Sequence, residues 1–444
     1  MKTGIFYLLC GGGHLAASKA IVAECGQNFP GESVEIFEIK SSNRLVGWLI
    51  DGGYTVATNY LPLVWKFLYW IYTRRPIIAT TAWIFGRFFY RDIKKLIIDG
   101  KFDKIVSAHF FLTPVMVEIV AKLNLKIPIF CLVTDPFTVP PYWFLKKEVN
   151  YVVFSARARD FGARAGIADD KIKIFNPLLN PAFVASAVSV SASRVSLGLE
   201  KFDKIVLVAG GGNGLPQGIK IVRALCEEFA TCHSSAPERS DKYSWGKNGN
   251  PVVNHQTLDP RCRGDDKTRA KDKVRGDDKP SIKIIVVCGR DKNFYNQVKK
   301  IQKKYPAISQ VFGFVNLAEI MPATDVVVGK AGPAVVFESL LLKKPLVLNS
   351  YIWQQEQGNM EFVVKNKVGY YEPKPSKLAS RVLEILFDDK KILELKDNID
   401  KLKLKNGVAE VTRYILTEKY NLGCPTGIEP VLSVPQTDVI TIIP

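Results

Sequence analysis

Histidine is scarce in this chain: four in 444 residues, too few for a His-rich metal site. The eight cysteines include no C-x-x-C pair, which excludes a zinc ribbon and gives no disulfide framework. No stretch reaches the roughly 18 uninterrupted apolar residues of a spanning helix. The most apolar one, 61–72, is broken by Lys66 and followed by Arg74-Arg75. Residues 1–10 imitate a secretory leader, but their apolar run is short and no cleavage pattern follows. A cytoplasmic location is therefore expected, against the inner face of the cell membrane. Acidic residues are in deficit: 43 Asp and Glu against 61 Lys and Arg give a formal net charge of +18. Such a surplus suits an anionic partner, whether nucleic acid, an anionic membrane or a phosphorylated ligand. Three nucleotide signatures are missing. Ala16 breaks G-x-G-x-x-G, no Gly-Lys-Ser/Thr follows a glycine loop, and Thr134-Asp135-Pro136 is not a D-x-D. Neither NAD binding nor P-loop chemistry is expected, and no metal is indicated.

What the chain does have is an apolar content of 47% and enough length for two cores. Short apolar runs at 5–10, 34–39, 104–108, 129–133, 151–154 and 172–174 alternate with helical stretches at 15–24 and 91–98. That alternation predicts an α/β domain with a parallel sheet covered on both faces. Asn176-Pro177 and Asn180-Pro181 supply turn chemistry for a boundary. The rhythm restarts with strands at 204–208, 283–288, 311–314, 326–328 and 345–348 and helices at 217–229 and 294–304. Two doubly wound domains are expected, 1–180 and 201–420. Residues 232–280 are polar and aperiodic, carry Arg-Gly-Asp-Asp-Lys twice, and read as a disordered insertion. Residues 421–444 read as a loosely ordered tail.

Several glycine and polar clusters fall between a strand and a helix. Gly11-Gly12-Gly13-His14 lets a ligand approach a helix N-terminus, and a His there can take a proton from a hydroxyl; a structural turn explains it equally well. Gly210-Gly211-Gly212-Asn213-Gly214 offers backbone amides that cradle a diphosphate, or is simply a flexible turn. Lys330-Ala331-Gly332-Pro333 opens a helix that carries Glu338 about one and a half turns along, near the carboxyl edge of the sheet. A carboxylate there can take both hydroxyls of a ribose, while a solvated helix face is the plainer reading. Gln354-Gln355-Glu356-Gln357-Gly358-Asn359 can hydrogen-bond sugar hydroxyls, or open a helix as a polar loop. His109 and Asp135 also stand at carboxyl ends of strands. Residues 48–90 interleave Trp48, Trp65, Trp70 and Trp83 with Lys66, Arg74, Arg75 and Arg87. This suits an anionic membrane interface, and to a lesser degree an aromatic core or single-stranded nucleic acid.

In order along the chain, the pieces resemble one family. They are Gly-Gly-Gly-His, Ser107-Ala108-His109, Thr134-Asp135, Gly210-Gly211-Gly212, Cys288-Gly289-Arg290, Gly313-Phe314-Val315, Lys330-Ala331-Gly332-Pro333, Glu338-Ser339-Leu340 and Gln355-Glu356-Gln357-Gly358-Asn359. They are similar to monogalactosyldiacylglycerol synthases and processive diacylglycerol glucosyltransferases. More distantly they resemble the N-acetylglucosaminyltransferase that acts on undecaprenyl-linked muramoylpentapeptide. The resemblance implies a GT-B fold, two Rossmann-like domains facing across a cleft. It implies an inverting transfer of a hexose from a UDP-sugar to diacylglycerol, with no cofactor, no catalytic metal and no nucleic acid. His14 would be the general base, and Gly12, Gly13, His109 and Asp135 would line the lipid acceptor side. On the donor side, Gly211, Gly212, Asn213 and Gly214 would face the diphosphate and Gly313, Phe314 and Val315 the uracil. Lys330, Ala331, Gly332 and Pro333 would contact phosphates, Glu338 the ribose, and Gln355, Glu356 and Asn359 the sugar or its phosphates. The chain departs from the family at Gly329, where Thr is usual, and at Ala334-Val335, where Gly-Thr is usual. Transfer of N-acetylglucosamine to a polyprenyl-linked acceptor is the alternative enzyme. A basic nucleic-acid-binding protein is the alternative outside enzymes, resting on the net charge and the insertion.

Overall fold

The computed structural model describes residues 1–8, 12–40, 46–47, 52–59, 61–72, 74–185, 189–212, 214–234, 244–245, 251–252 and 281–418. The insertion expected to be disordered at 232–280 lies almost wholly outside these residues, as do Trp48, Asn213 and the tail 421–444.

The first half holds strands β1 (Lys2–Tyr7), β2 (Ser33–Glu38), β3 (Lys104–Ser107), β4 (Ile129–Leu132), β5 (Asn150–Val153) and β6 (Ile172–Ile174). They pair in parallel in the order β2-β1-β3-β4-β5-β6. The second half holds β7 (Lys204–Ala209), a two-stranded antiparallel pair β8 (Ser244–Trp245) and β9 (Pro251–Val252), then β10 (Ile282–Val287), β11 (Ile308–Phe312), β12 (Val326–Lys330), β13 (Leu346–Ser350) and β14 (Gly369–Tyr371). Its main sheet is parallel in the order β11-β10-β7-β12-β13-β14. The central strands are continuous runs of Val, Ile and Leu because helices cover both faces, so no solvent face exists for polar residues to alternate onto.

Strand order fixes where ligands go. The side on which successive strands are added reverses between β1 and β3 in the first sheet and between β7 and β12 in the second. In such sheets the crevice opens at the carboxyl ends of the strands flanking that reversal.

Three elements differ from the sequence reading. The helix expected at 91–98 is the last part of Arg75–Gly100, 26 residues long, because Ile78, Ala82 and Phe89 extend the buried face of Ile93 and Ile97 toward its start. The strand expected at 311–314 ends at Phe312. The last helix, Val408–Thr417, crosses back to the first half, where Val411 and Ile415 join Ile5, Ile21 and Phe130 in one buried cluster. Packing thus places it against the first sheet, beyond a division that assigns 201–420 to the second.

Lys104 fastens that crossing. Its buried ammonium donates to the carbonyls of Ile415 at 2.8 Å, Leu416 at 2.6 Å and Glu418 at 2.8 Å. These are carbonyls that a helix end leaves without intrahelical partners. Lys104→Met is expected to cost about 2–3 kcal/mol, since buried acceptors lose charge-assisted bonds. A denaturant midpoint equal to that of the wild-type chain would contradict the clasp.

Candidate active site

The two glycine turns meet. Gly12 precedes the helix Gly13–Asn28 at the end of β1, and Gly210 to Gly214 follow β7. A carbon added to Gly212 would lie 3.6 Å from the Gly12 Cα. Gly211 and Gly214 hold φ of +80° and +81°, and a carbon on Gly210 would sit 2.1 Å from the Gly214 carbonyl oxygen. Glycine is required by this turn and by its close approach to the facing domain.

His14 stands on the first turn of the Gly13–Asn28 helix, beside this contact. Its Nδ1 lies 3.2 Å from the Thr134 hydroxyl, at the end of β4, and its ring also meets the Ala108 carbonyl after β3. Burial pushes its pKa down to about 4, only partly offset by that carbonyl. The His109 ring packs 4.8 Å from it and Trp143 lies 6.1 Å away. His109 is itself buried, stacks on Phe110 and accepts the Phe111 amide at Nδ1, 3.3 Å. Burial, reinforced by His14, holds its pKa well below the usual imidazole range. Asp135 accepts from Trp143 Nε1 at 2.8 Å and from the Gln355 side chain, yet burial lifts its pKa to about 7. Gln355 belongs to the second domain, so Asp135 is a point where the two sides touch.

The second domain supplies β12 and the helix Pro333–Leu341. Glu338 is buried on that helix, its carboxylate has no hydrogen bond to another described residue, and burial raises its pKa to about 8. Lys330 Nζ lies 2.8 Å from Glu356 Oε1, while Glu356 Oε2 accepts the Ile352 amide at 2.9 Å. Asn359 donates to the Ala331 carbonyl at 2.9 Å, and its buried Oδ1 has no partner among the described residues. Gly313 to Val315 follow β11, with Phe314 largely exposed.

The run Gln355 to Asn359 also seals the domain junction. The Gly358 amide donates to Thr138 Oγ1 at 3.0 Å, and a carbon on Gly358 would meet the Phe137 Cβ at 2.6 Å. Phe137 stacks on Phe362 with ring centroids 4.7 Å apart, inside the second domain's core.

Over the cleft lies the helix Pro62–Tyr72. Its inner face carries Trp65 and Tyr69, four residues apart. Trp65 Nε1 donates to the Trp353 carbonyl at 3.2 Å, and Tyr69 packs edge-on to Trp353 at 5.8 Å. The outer face presents Leu63, 78% exposed, Phe67, 61%, and Trp70, 54%. Arg74 lies over Trp70 and Arg87 over Trp83. No described helix is long and apolar enough to cross a membrane.

The structure brings together Gly12, Gly13, His14, His109 and Asp135 at one reversal, and Gly211, Gly212, Gly214, Lys330, Ala331, Gly332, Pro333 and Glu338 at the other. Gln355, Glu356 and Asn359 close the side, and Gly313, Phe314 and Val315 lie at the end of β11. Sequence reasoning passed over Thr134, Trp143, Tyr69 and Trp353. Thr134 had a signal, a hydroxyl at the carboxyl end of a strand; the aromatic contacts depend on cross-chain packing and had none.

Comparison with known proteins agrees with this layout. Residues 14–177 match the family model for monogalactosyldiacylglycerol (MGDG) synthase, and 262–411 match the glycosyltransferase family 28 C-terminal domain. The chloroplastic monogalactosyldiacylglycerol synthase of Spinacia oleracea is 27% identical over 378 residues, 84% of this chain and 63% of that protein. Monogalactosyldiacylglycerol synthase 1 of Arabidopsis thaliana is 25% identical over 391 residues, 87% of this chain and 64% of that protein. The chain spans less than two thirds of the length of these relatives. Acinetobacter baumannii MurG shares the fold with a TM-score of 0.51 at 11% identity, covering 94% of this chain and 100% of its own. The two Rossmann-like sheets form a GT-B fold. Residues 14–177 are thus similar to monogalactosyldiacylglycerol synthases, and residues 262–411 to the C-terminal domain of glycosyltransferase family 28.

Proposed function

We propose that the protein is an inverting glycosyltransferase that moves galactose from UDP-galactose to the free hydroxyl of diacylglycerol at an anionic membrane surface. One observation carries the reading: a neutral, buried His14 sits where the glycine turns of the two domains meet. With its ring held by Thr134, the His14 imidazole accepts the proton of the acceptor hydroxyl. The hydroxyl oxygen bonds to the sugar C1 as the C1–O bond to the β-phosphate breaks, and that electron pair leaves on the diphosphate. Proton removal is concerted with bond formation, since a base of pKa about 4 cannot first generate an alkoxide. His109 and Trp143 back the ring and keep water from it. Glu338 holds the ribose hydroxyls, Gly313 to Val315 present backbone to the uracil, and the amides around Gly211 to Gly214 receive the diphosphate. Gln355 and Asn359 read the sugar. We assign no cofactor or metal to the step.

The relatives' names support the galactose and the lipid, and the departures at Gly329 and Val335 lie on the donor side. The test is UDP release with UDP-galactose, UDP-glucose and UDP-N-acetylglucosamine, on anionic vesicles with and without diacylglycerol. Lipid-dependent release with UDP-galactose is expected. Release only with UDP-N-acetylglucosamine and a polyprenyl acceptor would overturn the assignment.

The exposed face of Pro62–Tyr72, with the cations beside it, is where we place the membrane, on the cytoplasmic side. Leu63→Ser with Phe67→Ser should weaken partition onto anionic vesicles about tenfold or more. UDP affinity should hold. Unchanged partition would move the membrane contact elsewhere.

A further inference from the structure

Two cations on the donor side of the cleft, Lys330 and Arg290, are not equivalent. Lys330 lies 2.8 Å from the Glu356 carboxylate; the two side chains are only 17% and 7% exposed. Glu356 is in turn fixed by the Ile352 amide, and Asn359 by the Ala331 carbonyl. Lys330 and Glu356 thus form a closed, neutral brace between β12 and the helix Gln357–Lys365. A nearly buried ion pair of this kind holds geometry and presents little net charge to a ligand.

Arg290 is arranged differently. It follows β10, and its backbone amide donates to the Gly212 carbonyl at 2.9 Å. Gly289, at φ +63°, allows the chain this close: a carbon there would lie 2.4 Å from the Gly211 carbonyl oxygen. The guanidinium lies over the Phe314 ring at 4.8 Å, and one of its nitrogens is 3.9 Å from where a Gly212 Cβ would stand. Tyr7, on the first domain's β1, has its pKa raised by burial and by Glu38, with the Arg290 charge opposing. Among the described residues no carboxylate comes within ion-pair distance of it. Its neighbour Asp291 is occupied in capping the Phe294 amide at 2.8 Å.

We propose that Arg290, and not Lys330, is the cation that binds the donor diphosphate and stabilises it as it departs. The proposal rests on the UDP-sugar reading above. In the transfer, the acceptor oxygen bonds to C1, the C1–O bond to the β-phosphate breaks with its electron pair on the phosphate oxygen, and the hydroxyl proton goes to His14. The diphosphate gains one negative charge at that moment. A guanidinium matches two phosphate oxygens at once, and Phe314 keeps it poised over the glycine turn without a competing anion. The Lys330–Glu356 brace holds the loop at Trp353 to Asn359 in place.

The test is calorimetric binding of uridine, UMP and UDP to the full chain and to Arg290→Met, Arg290→Lys and Lys330→Met, with kcat and KM for UDP-galactose. Wild-type affinity should climb from uridine to UDP. Arg290→Met should erase about tenfold or more of that gain, leave uridine binding unchanged and lower kcat; Arg290→Lys should restore part of both. Lys330→Met should lower thermal stability but preserve the ratio of UDP to uridine affinity. Were the ratio to collapse in Lys330→Met and persist in Arg290→Met, the assignment would be reversed and the proposal lost. Failure of the wild-type chain to bind UDP would instead overturn the donor reading, and this proposal with it.

Discussion

His14→Ala is expected to lower kcat by roughly a hundred- to ten-thousand-fold, the usual worth of a positioned general base. UDP affinity should be unchanged, because His14 belongs to the first domain and the proposed nucleotide contacts to the second. The pH profile separates a base from a packing residue. Burial holds the His14 pKa down to about 4, so the imidazole stays neutral well below the ordinary histidine range. The acid limb of kcat/KM should therefore fall near pH 4 to 5 instead of at the model-peptide value of 6.5. Thr134→Val, which removes the hydroxyl at Nδ1, should lower kcat and leave KM for the donor unchanged. An alanine variant with wild-type turnover would remove His14 from the chemistry.

Glu338→Gln is expected to weaken UDP binding by about ten- to a hundredfold, as two bonds from ribose hydroxyls to a buried carboxylate lose their charge. Its pH dependence is distinctive. Burial lifts the Glu338 pKa from 4.5 to about 8 in the empty site. Ribose hydroxyls donate to the ionised form, so binding at pH 7 should release a proton, and affinity should rise with pH toward 8. The Gln variant should show neither effect. The linkage to folding has the opposite slope. The folded chain keeps this proton to higher pH than the unfolded chain. Its contribution to stability is therefore present below pH 4.5 and lost as pH rises through about 8. Glutamine should flatten that fall. Calorimetry in buffers of different ionisation enthalpy measures the proton release directly, and equal heats across buffers would contradict it.

The parallel sheets were legible because their strands are short runs of Val, Ile and Leu, such as Lys204–Ala209, which period and composition identify. The glycine turns were legible because strand and helix flank them closely. The return of Val408–Thr417 to the first sheet was not. Nothing local in that helix states that Val411 and Ile415 will pack beside Phe130, nearly 300 residues earlier. The aromatic stretch was read as one surface, and the structure divides it. Trp65 and Tyr69 turn inward onto Trp353, whereas Leu63 and Phe67 turn outward, a helical offset that composition does not reveal. Lys330 and Glu356 were each read as ligand contacts because their pairing joins residues 26 apart through a buried bond. Arg290, which the sequence marked only as part of a motif, lies over Phe314 with no carboxylate among the described residues within ion-pair distance.

The most direct test of the account is the product itself. The chain should be incubated with UDP-galactose and anionic vesicles containing diacylglycerol, and the lipid extract analysed by mass spectrometry and by the anomeric proton coupling in NMR. The account predicts a monogalactosyl diacylglycerol whose linkage is β, inverted from the α-linked donor, and its absence from the His14→Ala reaction. An α-linked product, or free galactose with no glycolipid, would contradict it.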